Sequence, residues 1–201
     1  MDIDAQTWEM IGRYLGAGFA LGLGGIGAAV GMGVTAGQAN EGIMRQPATQ
    51  AYMLRTMLIG QAVGGSPSIF ALVIGLLILF VGSGSGPVLA ASLIGAGLSI
   101  GLGCFGSGLG CGWPGGKGCD GVARNPRRQT AVSTAMIVGQ AVAQSPSIFA
   151  TVIALILIFV PMSEMSMWTT FGICIGAGIA MGAGALGPGV GSGQSASGAV
   201  H

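Results

Sequence analysis

Of the 201 residues, seven are Lys or Arg and six are Asp or Glu, 51% are hydrophobic and 41 are glycine; the net charge is +1 and the mean hydropathy +0.78. So few charges exclude an ordinary soluble domain, and apolar stretches between the glycines exclude a polar, disordered glycine-rich chain. No strongly basic or acidic face points to nucleic acid.

The charges are bunched. No Asp, Glu, Lys or Arg lies between Arg13 and Glu41, between Arg55 and Lys117, between Arg128 and Glu164, or from Met165 onward. As a helix, the stretch from Thr56 to Gly116 is roughly 90 Å long, enough for two crossings of an apolar layer about 30 Å thick. Gly82-Ser83-Gly84-Ser85-Gly86-Pro87 supplies the turn between them. The expectation is an all-α membrane protein with five spans, near residues 11–43, 50–81, 88–122, 127–160 and 168–200.

In chain order, Asp2 to Met10 is acidic and has no basic run of a cleavable leader, so the first span is read as retained. Trp8 and Tyr14 suit an interfacial cap, and residues 1–10 are taken as an outer-face segment, with a frayed end as the plain alternative. Glycines then recur at short steps from Gly16 to Gly37, a pattern repeated from Gly101 to Gly112 and from Gly182 to Gly193. In lipid a small-residue face lets helix backbones approach closely. The second span of each unit is bulky instead, with Ile, Leu, Val and Phe filling 69–81 and 148–160.

These units are copies. Gly60 to Val81 and Gly139 to Val160 agree at about 15 of 22 positions, the signature of a tandem repeat. At the same constant offset, Arg45-Gln46-Pro47 returns as Arg124-Asn125-Pro126, and Gly16-Ala17-Gly18 as Gly95-Ala96-Gly97. The organisation read from this is a first hairpin over 11–81, a second over 88–160, and a half hairpin over 168–201 that begins a third copy at Gly176. A small-lined and a bulky-lined helix form a wedge, and wedges side by side close into a ring. Six of seven basic residues (Arg45, Arg55, Lys117, Arg124, Arg127, Arg128) fall in or beside the two loops that must share a side, which places those loops in the cytoplasm and the N-terminus outside.

A glycine-patterned helix, an Arg-Gln-Pro or Arg-Asn-Pro loop, and a second helix with Met57 to Val81 or Met136 to Val160 resemble the c subunit of F-type rotary ATP synthases. The resemblance covers nearly the whole chain. It implies a homo- or hetero-oligomeric ring in a bacterial inner membrane or organelle equivalent, carrying H⁺ or Na⁺ past a stator a-type subunit. The loops Arg45, Gln46, Pro47 and Arg124, Asn125, Pro126 would touch the central stalk. No organic cofactor is implied.

The sequence departs from that family at one place. The family's second helix carries a membrane-embedded carboxylate three residues after Gly-Gln-Ala, where this chain has Gly65 and Gln144. Neither ionises, and Glu41 and Asp120 lie at loop level. The sodium-type members use a backbone carbonyl, the carboxylate and a serine hydroxyl, which correspond to Val63, Gly65 and Ser66 and to Val142, Gln144 and Ser145. Their first-helix glutamine corresponds to Met32, Cys111 and Ser192. Pro67 and Pro146 lack an N–H, so the carbonyls of Val63 and Val142 lose their helical partners. Two readings of Gln144 follow: neutral coordination of an ion, or a hydrogen bond between helices across a proline kink. The want of negative charge favours the second.

Other signals carry no chemistry. Gly115-Gly116-Lys117-Gly118 lacks the first glycine and the Ser or Thr of a phosphate loop and marks a frayed helix end after Trp113-Pro114. Cys104, Cys111, Cys119 and Cys174 have no metal-ligand spacing, and no catalytic constellation or metal site is expected. The functional reading is a fused rotor-ring subunit whose embedded carboxylate is replaced in both complete hairpins. The alternative is a ring scaffold or pore-forming paralogue uncoupled from ATP. A third reading, a product truncated after His201, would put a glutamate about 23 residues further on by the repeat offset.

Overall fold

The computed structural model describes residues 4–81, 85–160 and 166–200. It is built of α1 (Ala5–Arg45), α2 (Gln50–Gly64), α3 (Ser66–Phe80), α4 (Gly86–Arg124), α5 (Gln129–Phe159) and α6 (Met167–Ala199). One-turn 3₁₀ helices, Pro47–Thr49 and Pro126–Arg128, open the chain into α2 and α5. With α2 and α3 counted as one span, five helices among the described residues are long and apolar enough to cross a membrane. The turn residues 82–84 lie outside the described residues. Helix ends differ from expectation by a few residues. The first helix starts at Ala5 and includes Trp8, and residues 1–3 of the expected N-terminal segment lie outside the described residues.

Glycine decides which helices touch. On α4, an added Cβ at Gly97, Gly101, Gly108 or Gly112 would strike the α1 backbone at Gly16, Phe19, Gly27 to Ala28 and Gly31. At Gly95, Gly106 and Gly110 it would strike α6 at Cys174, Leu186 and Gly189. At about 100° per residue these two sets fall on opposite faces of α4. α4 is therefore the middle of an inner row, α1–α4–α6, and is buried along most of its length. The two junctions match by the repeat: Gly16 against Gly97 is answered by Gly95 against Gly178, and Gly31 against Gly112 by Gly110 against Gly193.

The bulky helices form an outer row, α2–α3 over α1 and α4, and α5 over α4 and α6. Their inward residues are small or fully buried: Ala71, Ile74 and Ile78 on α3, and Ala143, Ala150 and Ala154 on α5. Their outward residues, among them Ile69, Val73, Leu76, Ile148, Phe149 and Val152, are exposed as lipid contact requires. At the end away from the polar loops, the Arg13 guanidinium donates to the carbonyls of Ile78, Leu79 and Val81 at 2.9–3.2 Å. It is held by Glu9 at 2.8 Å and satisfies carbonyls that end α3. At the other end, the two loops are copies in conformation: Gln46 has φ −138°, ψ 79° and Asn125 φ −139°, ψ 78°.

Two expectations are corrected. The second span of the first hairpin is broken at Gly65, whereas its copy α5 runs unbroken through Pro146. The Gly64-Gly65 pair before Pro67 resists helix by about 2 kcal/mol relative to alanine, and Ala143-Gln144 does not. Nor does Trp113-Pro114 fray α4: the helix continues to Arg124, and Gly115, Gly116 and Gly118 are buried against Thr35, Gln38 and Met136.

Adding volume at an inner junction should cost far more than at an open glycine. Gly108→Ala, whose Cβ falls 2.5 Å from the Ala28 nitrogen, is expected to destabilise the chain by about 1–3 kcal/mol. Gly184→Ala, with nothing within 4 Å, should be neutral or mildly stabilising. Thermal unfolding in mild detergent, followed by circular dichroism, measures both.

Candidate functional site

A polar contact within the apolar spans lies where the two hairpins meet outside α4. It begins with Pro67, which cannot donate to the Val63 carbonyl one turn earlier. Gly65 ends the first half of the span, its N–H donating to the Gln61 carbonyl at 2.8 Å. The orphaned Val63 carbonyl then receives two donors: Ser66 Oγ at 2.8 Å and, from the neighbouring hairpin, Gln144 Nε2 at 2.7 Å. Gln144 is half-buried, and its own backbone carbonyl accepts from Ser147 Oγ at 2.7 Å. The Gln144 amide thus acts as a donor that links helices.

One turn nearer the loops, the glutamines of the Gly-Gln-Ala motifs also bond between helices, Gln140 across the same seam and Gln61 within the first hairpin. Gln140 is fully buried and donates from Nε2 to the carbonyls of Gly60 and Cys111, both at 2.9 Å. Its counterpart Gln61 reaches the Met32 carbonyl at 3.4 Å. Ser107 Oγ accepts the Ser147 N–H at 3.1 Å, and Cys111 Sγ donates to the Gln140 carbonyl at 3.5 Å. Thr56 and Ser133 hydroxyls meet at 3.4 Å. The sequence reading singles out neither Gln140 nor Ser107. For Gln140 the available signal is the repeated Gly-Gln-Ala itself.

The structure divides the expected residue set. Val63, Ser66 and Gln144 come together. Val142 and Ser145 do not join Gln144 but line the opposite side of α5, facing α6. The cause is helical geometry: residues 142 and 145 lie about 60° apart around the axis, while 144 is turned well away from 142. Gly65 contributes no ligand, and a Cβ there would meet Met32 Sδ at 3.3 Å. Met32, Cys111 and Ser192 offer no glutamine oxygen; Ser192 Oγ donates to the Pro188 carbonyl at 2.6 Å. No Asp or Glu occurs in α2, α3 or α5.

At the loop end, Asp120 links both polar loops, pairing with Arg124 at 2.8 Å and Arg45 at 3.8 Å. Arg45 also reaches Glu41 at 3.4 Å. Gln46 and Asn125 close their helices with N–H bonds to Gly42 and Gly121 at 2.9 and 3.0 Å, and Pro47 and Pro126 open the one-turn helices that follow. Arg127 and Arg128 form no ion pair among the described residues.

If the amide answers the carbonyl that proline frees, the two substitutions must be coupled. Gln144→Leu should destabilise the chain by about 1 kcal/mol. In a Pro67→Ala background, which returns an N–H to Val63, the same change should cost roughly half as much or less. A double-mutant cycle on detergent unfolding midpoints measures the coupling.

The family model for the ATP synthase c subunit matches residues 15–78 and again residues 94–157. The ATP synthase c subunit of Natranaerobius thermophilus is 46% identical over 78 residues, 39% of this chain and 90% of that protein. That of Clostridium acetobutylicum is 41% identical over 81 residues, 40% of this chain and 99% of its own length. The chloroplastic c subunit of Ostreococcus tauri is 44% identical over 66 residues, covering 33% and 80% respectively. With two matched hairpins spliced through shared inner and outer rows, the chain is a fused member of the ATP synthase c-subunit family.

Proposed function

We propose that the chain is a rotor-ring segment of an ATP synthase membrane sector that supplies two hairpin positions without an ionisable group. The observation that carries this reading is the Gln144 to Val63 hydrogen bond, 2.7 Å long, at the junction of hairpins. There Gly65 and Gln144 hold the positions at which the family's second helix carries its carboxylate. A carboxylate in lipid takes up and releases an ion because its charge can be made and neutralised. An amide that donates to a fixed carbonyl has no such cycle, so this seam is a permanent latch.

Ring membership is supported by the edges of the inner row. On α1, Gly18, Gly22, Gly33 and Gly37 face open space. They are the first-copy counterparts of Gly97, Gly101, Gly112 and Gly116, which receive α1 within the chain. On α6, Gly176, Gly187 and Gly191 are open and are the third-copy counterparts of Gly95, Gly106 and Gly110, which receive α6. The two ends of the row are therefore complementary in kind, a head-to-tail arrangement that closes when the rotation per wedge divides a circle. H⁺ or Na⁺ would be carried by neighbours that keep a carboxylate, past a stator a-type subunit, with the basic loops on the cytoplasmic side against the central stalk. Positions that carry no ion lower the number of ions moved per turn, and with it the ion-to-ATP ratio.

The reading from another class, a ring scaffold or pore without ATP coupling, is separated by co-purification. Mild solubilisation of native membranes should bring down this chain with the soluble ATPase head and carboxylate-bearing c-type subunits; recovery of a ring without the head would favour the scaffold. Gly33→Leu on the open edge of α1 should leave the chain folded and abolish its recovery in rings. A Gly33→Leu chain that still enters rings would contradict the head-to-tail arrangement.

A further inference from the structure

We draw no further inference here: the strongest candidate, the fully buried Gln140 amide where α2, α4 and α5 meet, whose Oε1 has no hydrogen-bond donor among the described residues, carries nothing because its neighbours close that oxygen off and leave no space beside it for a ligand.

Discussion

The whole arrangement depends on helix backbones lying in direct contact across glycine. In lipid there is no hydrophobic gain from pressing one apolar helix against another, so association rests on close packing and on hydrogen bonds between helices. Glycine at the junctions supplies the first. A Cβ at Gly97, Gly112 or Gly193 would occupy the space of the neighbouring backbone. This fixes α4 between α1 and α6, and it leaves the bulky spans no place but outside. The wedge shape, the inner and outer rows and the complementary free edges are consequences of that one steric rule applied at each copy of the repeat.

Hydrogen bonds supply the second part. Each outer span contains a proline that strips a donor from a carbonyl in the apolar layer, a cost of several kcal/mol if left unanswered. At Val63 the structure answers it across the seam of the hairpins, with the Gln144 amide and the Ser66 hydroxyl on the carbonyl. Gln140 adds two bonds to backbone carbonyls of two different helices. The seam is thus held by neutral groups throughout. That separates its physics from that of an ion-carrying junction, where affinity must rise and fall as the junction moves past a charge.

Much of the fold is legible in the residues. The charge-free stretches mark the spans, the tandem repeat marks the hairpins, and the contrast of small and bulky composition marks inside from outside. The details that are not legible share a cause, since each depends on local packing that the pattern of residue types does not show. Pro67 and Pro146 look alike in sequence, yet only the first breaks its span, because two glycines precede it. Pro114 looks like an end and is not one, because the glycines after it let Thr35, Gln38 and Met136 pack closely. Val142, Gln144 and Ser145 read as one cluster along the chain, but the helix sends them to opposite neighbours. Gln140 escapes notice because a repeated motif shows that a residue matters without showing what it touches.

On the proposed reading Gln144 stands where the family carries its carboxylate, and the surroundings here present a carbonyl that takes a donor at that point. The central claim beneath this is the inner row itself, and electron cryomicroscopy of the chain in lipid nanodiscs tests it most directly. The account predicts α4 flanked on opposite faces by α1 and α6, with the backbone of Gly97 against Gly16 and that of Gly178 against Gly95. A map in which α5 or the α2–α3 span separates α4 from either of those helices would contradict it.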